Sequence, residues 1–267
     1  MILLIKLMKL KKKISYKNLD KLSKDINSKG FSVIKLFSRN DIDNFFKSKI
    51  IDNLNSRNLI KQKFNRKNIS NYHNIIKEQK IHKELLNPAK RQIDLKKIFY
   101  KLNKNLHISN LVKNQWGENK YEIRLYFKNK IRKNFAAFRL ARPFKKFKDD
   151  VGGAHLDLHF NNKIYDNHNI LFTIWIPIIG FTKKYTLRLS PNSHKKNHKI
   201  QNMEKQKKYI SKVYKDNYLK NFKFKRFDMK KGEVIVFHPN LLHGYSRNLG
   251  SITRASLDLR IYNTKLI

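Results

Sequence analysis

The feature that most constrains the fold is a strict alternation of apolar and polar residues near the end of the chain. The apolar positions of this segment are Ala255, Leu257, Leu259 and Ile261, and the polar positions are Arg254, Ser256, Asp258 and Arg260. Successive side chains of a β-strand point to opposite faces, so the segment predicts a strand with one apolar face. A polar face with two arginines is unusual for a surface, but it is expected where a strand lines a site inside a barrel mouth.

The order of the predicted elements indicates the fold class. Helical spacing of apolar residues dominates up to about residue 115, whereas strand patterns dominate from residue 121 onwards. Strands are expected over 30–37, 121–127, 135–142, 155–160, 170–178, 233–237 and 253–262. Ser38 and Asp41 have the spacing of a capping box before the first helix. This order predicts an α+β protein with a double-sheet barrel in its C-terminal half.

The domain organisation is expected to be simple. Residues 1–29 look like a basic N-terminal lead-in, and residues 30–267 are expected to form a single domain. A lysine-rich helical insertion is predicted at about residues 195–222.

A candidate metal site comes from His155, Asp157 and the more distant His243. Residues i and i+2 of a strand share a face, so His155 and Asp157 are expected to project side by side. Two imidazoles and one carboxylate form the facial triad that holds non-haem Fe(II) and leaves coordination positions open. The alternatives are a polar pair at a strand edge for His155 and Asp157, and a turn-capping loop histidine for His243.

Two further positions are candidates for ligand binding. Arg254 is suited to grip a carboxylate because its guanidinium presents a fork of donors. Its alternative is a structural ion pair with Asp258, and Arg260 is the rival for the carboxylate role. Trp175 could equally belong to the core or to the wall of a pocket.

Several segments together resemble the phytanoyl-CoA dioxygenase-like superfamily of Fe(II)/2-oxoglutarate oxygenases. The matching segments are the opening strand at 30–34, the metal strand at 155–160, the hairpin at 175–178 and 189–194, and the closing motif at 231–244 with Thr253 and Arg254. The last strand is most similar to bacterial members linked to streptomycin biosynthesis and surface-carbohydrate clusters. The resemblance covers roughly residues 30–262.

The resemblance implies a fold, a chemistry and a set of roles. The fold would be a double-stranded β-helix (jelly-roll, cupin-like) core with flanking N-terminal helices. His155, Asp157 and His243 would be the catalytic iron ligands, Arg254 would bind the far carboxylate of 2-oxoglutarate, and Trp175 and Ser256 would line the co-substrate pocket. O2 would be the second co-substrate. Halogenating relatives lack the carboxylate ligand, so Asp157 favours hydroxylation or a related oxidation of a small, anionic or sugar-linked metabolite.

The net charge of +42 leaves two explanations open. A low-GC genome would enrich lysine over the whole surface, whereas a functional explanation would be a surface for polyanions. The second explanation supports an alternative function as a basic, non-enzymatic nucleic-acid-binding protein. Nucleic acid is not the favoured partner, because no nucleic-acid-binding motif accompanies the charge. The lysines of 195–231 could instead attract a phosphorylated or nucleotide-linked substrate.

Composition excludes some site types and predicts a location. The chain has no cysteine, which excludes disulfides and thiolate chemistry. Its start lacks the apolar region and cleavage site of a signal peptide, and no apolar run approaches the ~18–20 residues of a membrane span. The expected location is therefore cytoplasmic, and the sequence carries no signal for an oligomeric state.

Overall fold

The computed structural model describes residues 21–98, 108–109, 111–113, 117, 121–127, 130–159, 170–205, 212–244 and 246–263. The described helices are α1 (21–29), α2 (Lys47–Asn55), α3 (Tyr72–Ile75), α4 (Gln79–Leu85) and short helical segments at 96–98, 108–109, 111–113 and Asp216–Leu219. A π-helical turn at Asp41–Phe46 leads directly into α2. Short 3-10 turns lie at Ile69–Asn71, Asp157–His159, Ser193–Lys195 and Ile200–Asn202.

Twelve strands are present within the described ranges. They are β1 (Phe31–Lys35), β2 (Gln92–Asp94), β3 (Tyr121–Phe127), β4 (Lys130–Lys133), β5 (Phe135–Ala141), β6 (Ala154–His155), β7 (Ile170–Ile179), β8 (Met203–Lys205), β9 (Lys212–Tyr214), β10 (Glu233–Phe237), β11 (His243–Gly244) and β12 (Arg254–Asn263).

The main sheet is antiparallel and is centred on β12. Its order is β1-β10-β7-β12-β3-β4, and β5 pairs with both β12 and β2. β12 pairs with β7 on one side and with β5 and β3 on the other. This central position explains the sequence pattern, because a central strand of a covered sheet needs a continuous apolar face.

A smaller layer packs against the main sheet and completes the jelly-roll core. It consists of β6 and β11, with Leu189 bridging both His243 and Lys225. Leu189 and Leu241 share an interior apolar cluster with Trp175, Ile235 and Phe237 of the main sheet. The fold is therefore α+β with a double-stranded β-helix core and flanking N-terminal helices, as predicted.

The two faces of β12 have different surroundings, as the alternation predicted. Its apolar residues belong to the largest core cluster, which also contains Leu22 and Ile26 of α1 and Ile50 and Leu54 of α2. Fully burying each such side chain contributes roughly 1.5–3 kcal/mol. The helices therefore cover the outer face of the sheet, and the arginine-bearing face is turned towards the smaller layer.

Local predictions at the N-terminal side have mixed outcomes. The capping box is confirmed, because the Asp41 carboxylate accepts hydrogen bonds from the Ser38 amide and hydroxyl while Ser38 Oγ accepts the Asp41 amide. The helical prediction around Ile93 is wrong, since this residue lies in β2 opposite Ala136 of β5. Sheet pairing outweighs helix propensity at this position.

Two predicted segment boundaries also differ from the structure. Residues 21–29 of the predicted lead-in form α1 and bury Leu22 and Ile26 in the core, whereas 1–20 lie outside the described residues. The insertion predicted as helical contains the β8–β9 hairpin, in which Met203 faces Tyr214, so this prediction is wrong for those strands. Both side chains belong to a third apolar cluster with Ala154 and Leu242, which explains the pairing.

Across the described ranges, every helix is too short or too polar to cross a bilayer.

Candidate metal centre

The two candidate histidine ligands are brought together by strand pairing. β6 and β11 are antiparallel, and their register places His155 directly opposite His243. Residues directly opposite each other in an antiparallel pair project from the same face. The two imidazole ring centres are accordingly 4.5 Å apart.

Asp157 also lies beside the two histidines, but it belongs to a turn and not to the predicted strand. The strand ends at His155, and Asp157 begins a 3-10 turn whose amide donates to the Pro239 carbonyl at 3.0 Å. The prediction of a strand over 155–160 is therefore wrong for residues 156–159, whereas residue 160 lies outside the described residues. The turn nevertheless delivers the carboxylate, since one ligand atom from each of His155, Asp157 and His243 lies within 4.8 Å of the others.

Both histidines present Nε2 as a potential ligand atom. His155 Nδ1 lies 3.0 Å from the Gly153 carbonyl oxygen, and His243 Nδ1 lies 2.8 Å from the Leu241 carbonyl oxygen. A carbonyl only accepts, so each Nδ1 carries the hydrogen and Nε2 of the neutral ring keeps its lone pair. Burial, helped by the neighbouring His243, lowers the pKa of His155 to about 3. The His155 ring is therefore neutral near pH 7, as a metal ligand must be.

The Asp157 carboxylate is held as an anion. Burial favours its protonated form, but Arg260 and the two histidines outweigh burial and hold the pKa of Asp157 well below its usual range. Arg260 donates to Oδ1 through Nε at 3.1 Å and Nη2 at 2.6 Å, and Thr173 Oγ1 donates to Oδ2 at 2.5 Å. These contacts orient the carboxylate, and its oxygens still have lone pairs for a cation.

Gly244 allows the two short strands to approach closely. Its φ is +105°, and a Cβ at this position would lie 2.8 Å from the Gly153 carbonyl oxygen and 3.1 Å from His155 Nδ1. Any larger residue would therefore displace the carbonyl that orients His155.

Arg254 is buried, and no carboxylate of the described residues forms an ion pair with it. Its Nη1 donates to the carbonyls of Tyr185 at 3.0 Å and Ser246 at 2.7 Å, whereas its buried Nε has no hydrogen-bond partner. Burial, reinforced by Arg226, lowers the pKa of Arg254 to about 10. The alternative ion pair with Asp258 is not present, because the Asp258 carboxylate pairs with Arg139.

The hydroxyl oxygen Oγ of Ser256 is also buried, and it has no hydrogen-bond partner among the described residues. It is two residues after Arg254 on the same face of β12, so both side chains point into the barrel. Two buried donors without hydrogen-bond partners on one face of a strand are expected where a bound ligand accepts hydrogen bonds from both.

The rival arginine has a different partner. Arg260 is bonded to Asp157, so its guanidinium is already paired with a carboxylate of the protein. Trp175 faces Asp258 and Ile235 across the sheet and is buried in the interior apolar cluster. It therefore contributes to the interior packing of the barrel beside the site.

Thr173 was not predicted as a site residue, whereas Arg139 and Arg142 were candidates of which one could reach the site from the neighbouring strand. Thr173 faces Arg260 on β12, and Arg139 faces Ser256. The register of β7 and β5 with β12 places both side chains beside the polar face of β12. The only sequence signal was a polar residue within an otherwise apolar strand. His159 was expected to be a structural histidine, with a place near the substrate as the alternative, and its side chain lies outside the described residues.

Comparisons with known proteins agree with this arrangement. A family model described as Phytanoyl-CoA dioxygenase (PhyH) matches residues 33–256. No curated protein matches the chain.

Solved structures share the fold at low sequence identity. The epimerase SnoN in complex with Fe3+, alpha ketoglutarate and nogalamycin RO has a TM-score of 0.55 and 10% identity, over 92% of this chain and 84% of that chain. The carbocyclase SnoK from nogalamycin biosynthesis has a TM-score of 0.51 and 9% identity, over 91% and 83%. EctD from S. alaskensis, with 2-oxoglutarate and 5-hydroxyectoine, has a TM-score of 0.52 and 14% identity, over 91% and 75%.

Proposed function

The chain belongs to the phytanoyl-CoA dioxygenase family, and from this premise we propose that it uses Fe(II), 2-oxoglutarate and O2 to oxidise a small metabolite. It is an enzyme of the Fe(II)/2-oxoglutarate-dependent dioxygenase class. The observation that carries the proposal is the convergence of His155, Asp157 and His243, whose ligand atoms lie within 4.8 Å of one another.

We assign the metal to these three side chains because their chemistry suits Fe(II). Two neutral imidazoles and one carboxylate occupy one side of the ion and leave the other positions open. When bound, Fe(II) together with 2-oxoglutarate and O2 supplies the oxidising equivalent, and 2-oxoglutarate is converted to succinate and CO2. The protein orients its ligands through Gly153, Leu241 and Thr173.

We assign the far carboxylate of 2-oxoglutarate to Arg254 and Ser256. The orphaned Nε of Arg254 and Oγ of Ser256 support this assignment, because a carboxylate would satisfy both donors. Trp175 would limit the pocket on its apolar side. Interior packing around Trp175, Ile235 and Phe237 would exclude water from the site.

The proposed substrate is a small, anionic or sugar-linked metabolite, including secondary metabolites. The similarity of the last strand to bacterial members of streptomycin and carbohydrate clusters supports this class. Asp157 favours hydroxylation or a related oxidation over halogen transfer. A cytoplasmic location is part of the same proposal, as expected for an enzyme that depends on 2-oxoglutarate.

Succinate formation tests the proposal without the prime substrate, because oxygenases of this class consume some 2-oxoglutarate alone. Purified protein with Fe(II), 2-oxoglutarate and O2 should release succinate. Asp157→Ala should reduce the rate of succinate release at least about 100-fold, because one of the three metal ligands is lost. Asp52→Ala, at an exposed position of α2, is the matched control and should keep the wild-type rate. Full turnover and metal binding by Asp157→Ala would overturn the proposal.

The competing function is a basic binding protein for nucleic acid, which the net charge of +42 motivates. It predicts binding that falls steeply with salt and is indifferent to Asp157→Ala. The convergence of the partly buried His155 with the buried Asp157 and His243 would then have no function, which is why we favour the enzyme.

A further inference from the structure

A basic cavity lies outside the candidate metal centre. It is an open cavity of about 780 Å3, lined by Lys183, Lys184, Arg188, Phe224, Lys225, Arg226, Arg247 and Leu249. Six of these eight residues are basic and none is acidic. Among the described residues, Asp228 lies 3.7 Å from Lys183 Nζ and is 63% exposed, so this ion pair offsets little of the charge.

Two arginines of the cavity are held in place by the protein. The guanidinium of Arg188 lies 4.1 Å from the centre of the Phe224 ring, a cation–π contact that fixes its plane. Arg226 donates to the Arg247 carbonyl at 2.7 Å and to the carbonyls of Lys183 and Lys184 at 3.2 and 3.3 Å. Such fixed guanidinium groups bind an anion at a lower entropic cost than mobile surface lysines do.

The arrangement also places like charges close together. Burial lowers the pKa of Arg226 to about 10, and neighbouring Arg188 acts in the same direction. The repulsion between Arg188 and Arg226 would be relieved by a multiply charged ligand.

The cavity is on the other side of the wall that carries the metal ligands. Leu189 is bridged to His243 and points into the interior cluster, so the preceding Arg188 points outwards. The Arg188 carbonyl accepts the Gly244 amide at 3.0 Å, which joins this segment to β11. The cavity is therefore adjacent to the metal centre and separate from its interior.

We propose that this cavity binds the phosphate groups of a small organic phosphate. Arginine forks match phosphate oxygens in pairs, and six positive groups suit two or more negative charges better than a single carboxylate. Phe224 and the 57% exposed Leu249 provide an apolar surface for the organic part of the ligand. The inference is independent of the proposed oxygenase activity, because binding needs neither iron nor turnover.

Calorimetric titration with inorganic pyrophosphate tests the inference on the full chain. Saturable binding is expected, and Arg188→Met should weaken it about tenfold or more because charge-assisted hydrogen bonds are lost. Arg132→Met is the matched control, since Arg132 also lies over a phenylalanine ring, that of Phe135 at 5.4 Å, but outside the cavity. The control should bind pyrophosphate like the wild type.

Two further titrations identify the source of the phosphate. Tighter binding of ADP than of pyrophosphate would support a nucleotide, and tighter binding of glucose 1-phosphate would support a phosphorylated sugar. No saturable binding of any of the three probes, or equal loss in both variants, would overturn the inference. Displacement of pyrophosphate by 2-oxoglutarate would also overturn it, because the anion would then occupy the Arg254 pocket. Oligonucleotide affinity that rises with length and survives Arg188→Met would instead indicate a diffuse polyanion surface.

Discussion

At the scale of single residues, the buried Arg142 and Arg254 and the partly buried Arg260 differ in what neutralises their charge. Arg142 is paired with Asp150 at 2.8 Å, and Arg260 is paired with Asp157 at 2.6 Å. Arg254 contacts only carbonyl oxygens, and the described part of the chain gives it no carboxylate. A buried charge without an opposite charge destabilises the fold, so an anionic ligand is expected to bind beside Arg254.

Arg254→Gln is expected to raise the KM for 2-oxoglutarate by roughly 100-fold, because a buried charge-assisted interaction is worth a few kcal/mol. Arg260→Gln should leave this KM near the wild-type value and alter Fe(II) affinity instead, since Arg260 contacts Asp157. Rates of succinate release at varied concentrations of 2-oxoglutarate and of Fe(II) measure the KM for 2-oxoglutarate and the Fe(II) affinity. The reverse pattern would assign the carboxylate to Arg260.

Thr173→Val should weaken Fe(II) binding about tenfold, because it removes the hydroxyl that orients Asp157 while keeping the side-chain volume. Thr186→Val is the matched control, since buried Thr186 donates to the Phe227 carbonyl away from the site. Both variants should lose about 1 kcal/mol of stability. Equal Fe(II) affinities, measured by titration under anaerobic conditions, would show that Thr173 has only a structural role.

At the scale of elements, the site depends on two strands of only two residues each. β6 and β11 supply both histidines, and their close approach requires Gly244. A short strand pair gains little from its own hydrogen bonds, so its geometry relies on tight packing and on the amide of Asp157 bonded to Pro239. Small changes in these strands should therefore reach the metal site directly.

Gly244→Ala should lower the free energy of unfolding by roughly 1–3 kcal/mol and weaken Fe(II) binding, because its φ is positive and its Cβ would meet the Gly153 carbonyl. Gly117→Ala shares the positive φ but would meet nothing within 4 Å, so it should cost about 1 kcal/mol and leave Fe(II) binding intact. Urea unfolding and Fe(II) titration distinguish the two variants. Wild-type Fe(II) affinity in Gly244→Ala would contradict this account.

At the scale of the whole molecule, a buried polar cluster links the helices to the sheet. His82 of α4 lies 3.4 Å from the Asp150 carboxylate through Nε2, and its Nδ1 is 3.1 Å from the Tyr72 hydroxyl. Arg142, which follows β5, donates to Asp150 and to the Ile76 carbonyl. These contacts connect the helical layer to the end of β5.

This cluster makes stability depend on pH. Burial lowers the pKa of His82 to about 4, against roughly 6.5 when unfolded, so between these values the unfolded chain binds the extra proton. The stabilisation is complete above pH ~6.5 and falls as pH drops towards 4, by roughly 3 kcal/mol at most. Urea unfolding of metal-free protein between pH 7 and 4 should show this slope, and His82→Gln should reduce it. Part of the slope should remain, because burial also lowers the pKa of His238 to about 4 and that of His155 to about 3. An unchanged slope in the variant would rule out His82 as the source.

The sequence predicted the elements that have a strong local pattern. The alternation of β12, the strand β10 and the capping box at Ser38 and Asp41 all have periodicities or spacings that report burial or local hydrogen bonding. Element types failed where long-range pairing outweighs local preference, as at Ile93 in β2 and in the β8–β9 hairpin. Expectations for residues outside the described ranges stay predictions.

By itself, the sequence determined which groups are available: the residue types of the candidate metal ligands, the polar face of β12 and the basic character of the surface. Only the tertiary structure decided which of them meet. It paired Arg260 with Asp157, left Arg254 without a carboxylate among the described residues, and placed Asp157 in a turn instead of a strand. The physical reason is that periodicity along a chain reports burial, whereas the partner of a buried charge depends on the register between strands far apart in sequence.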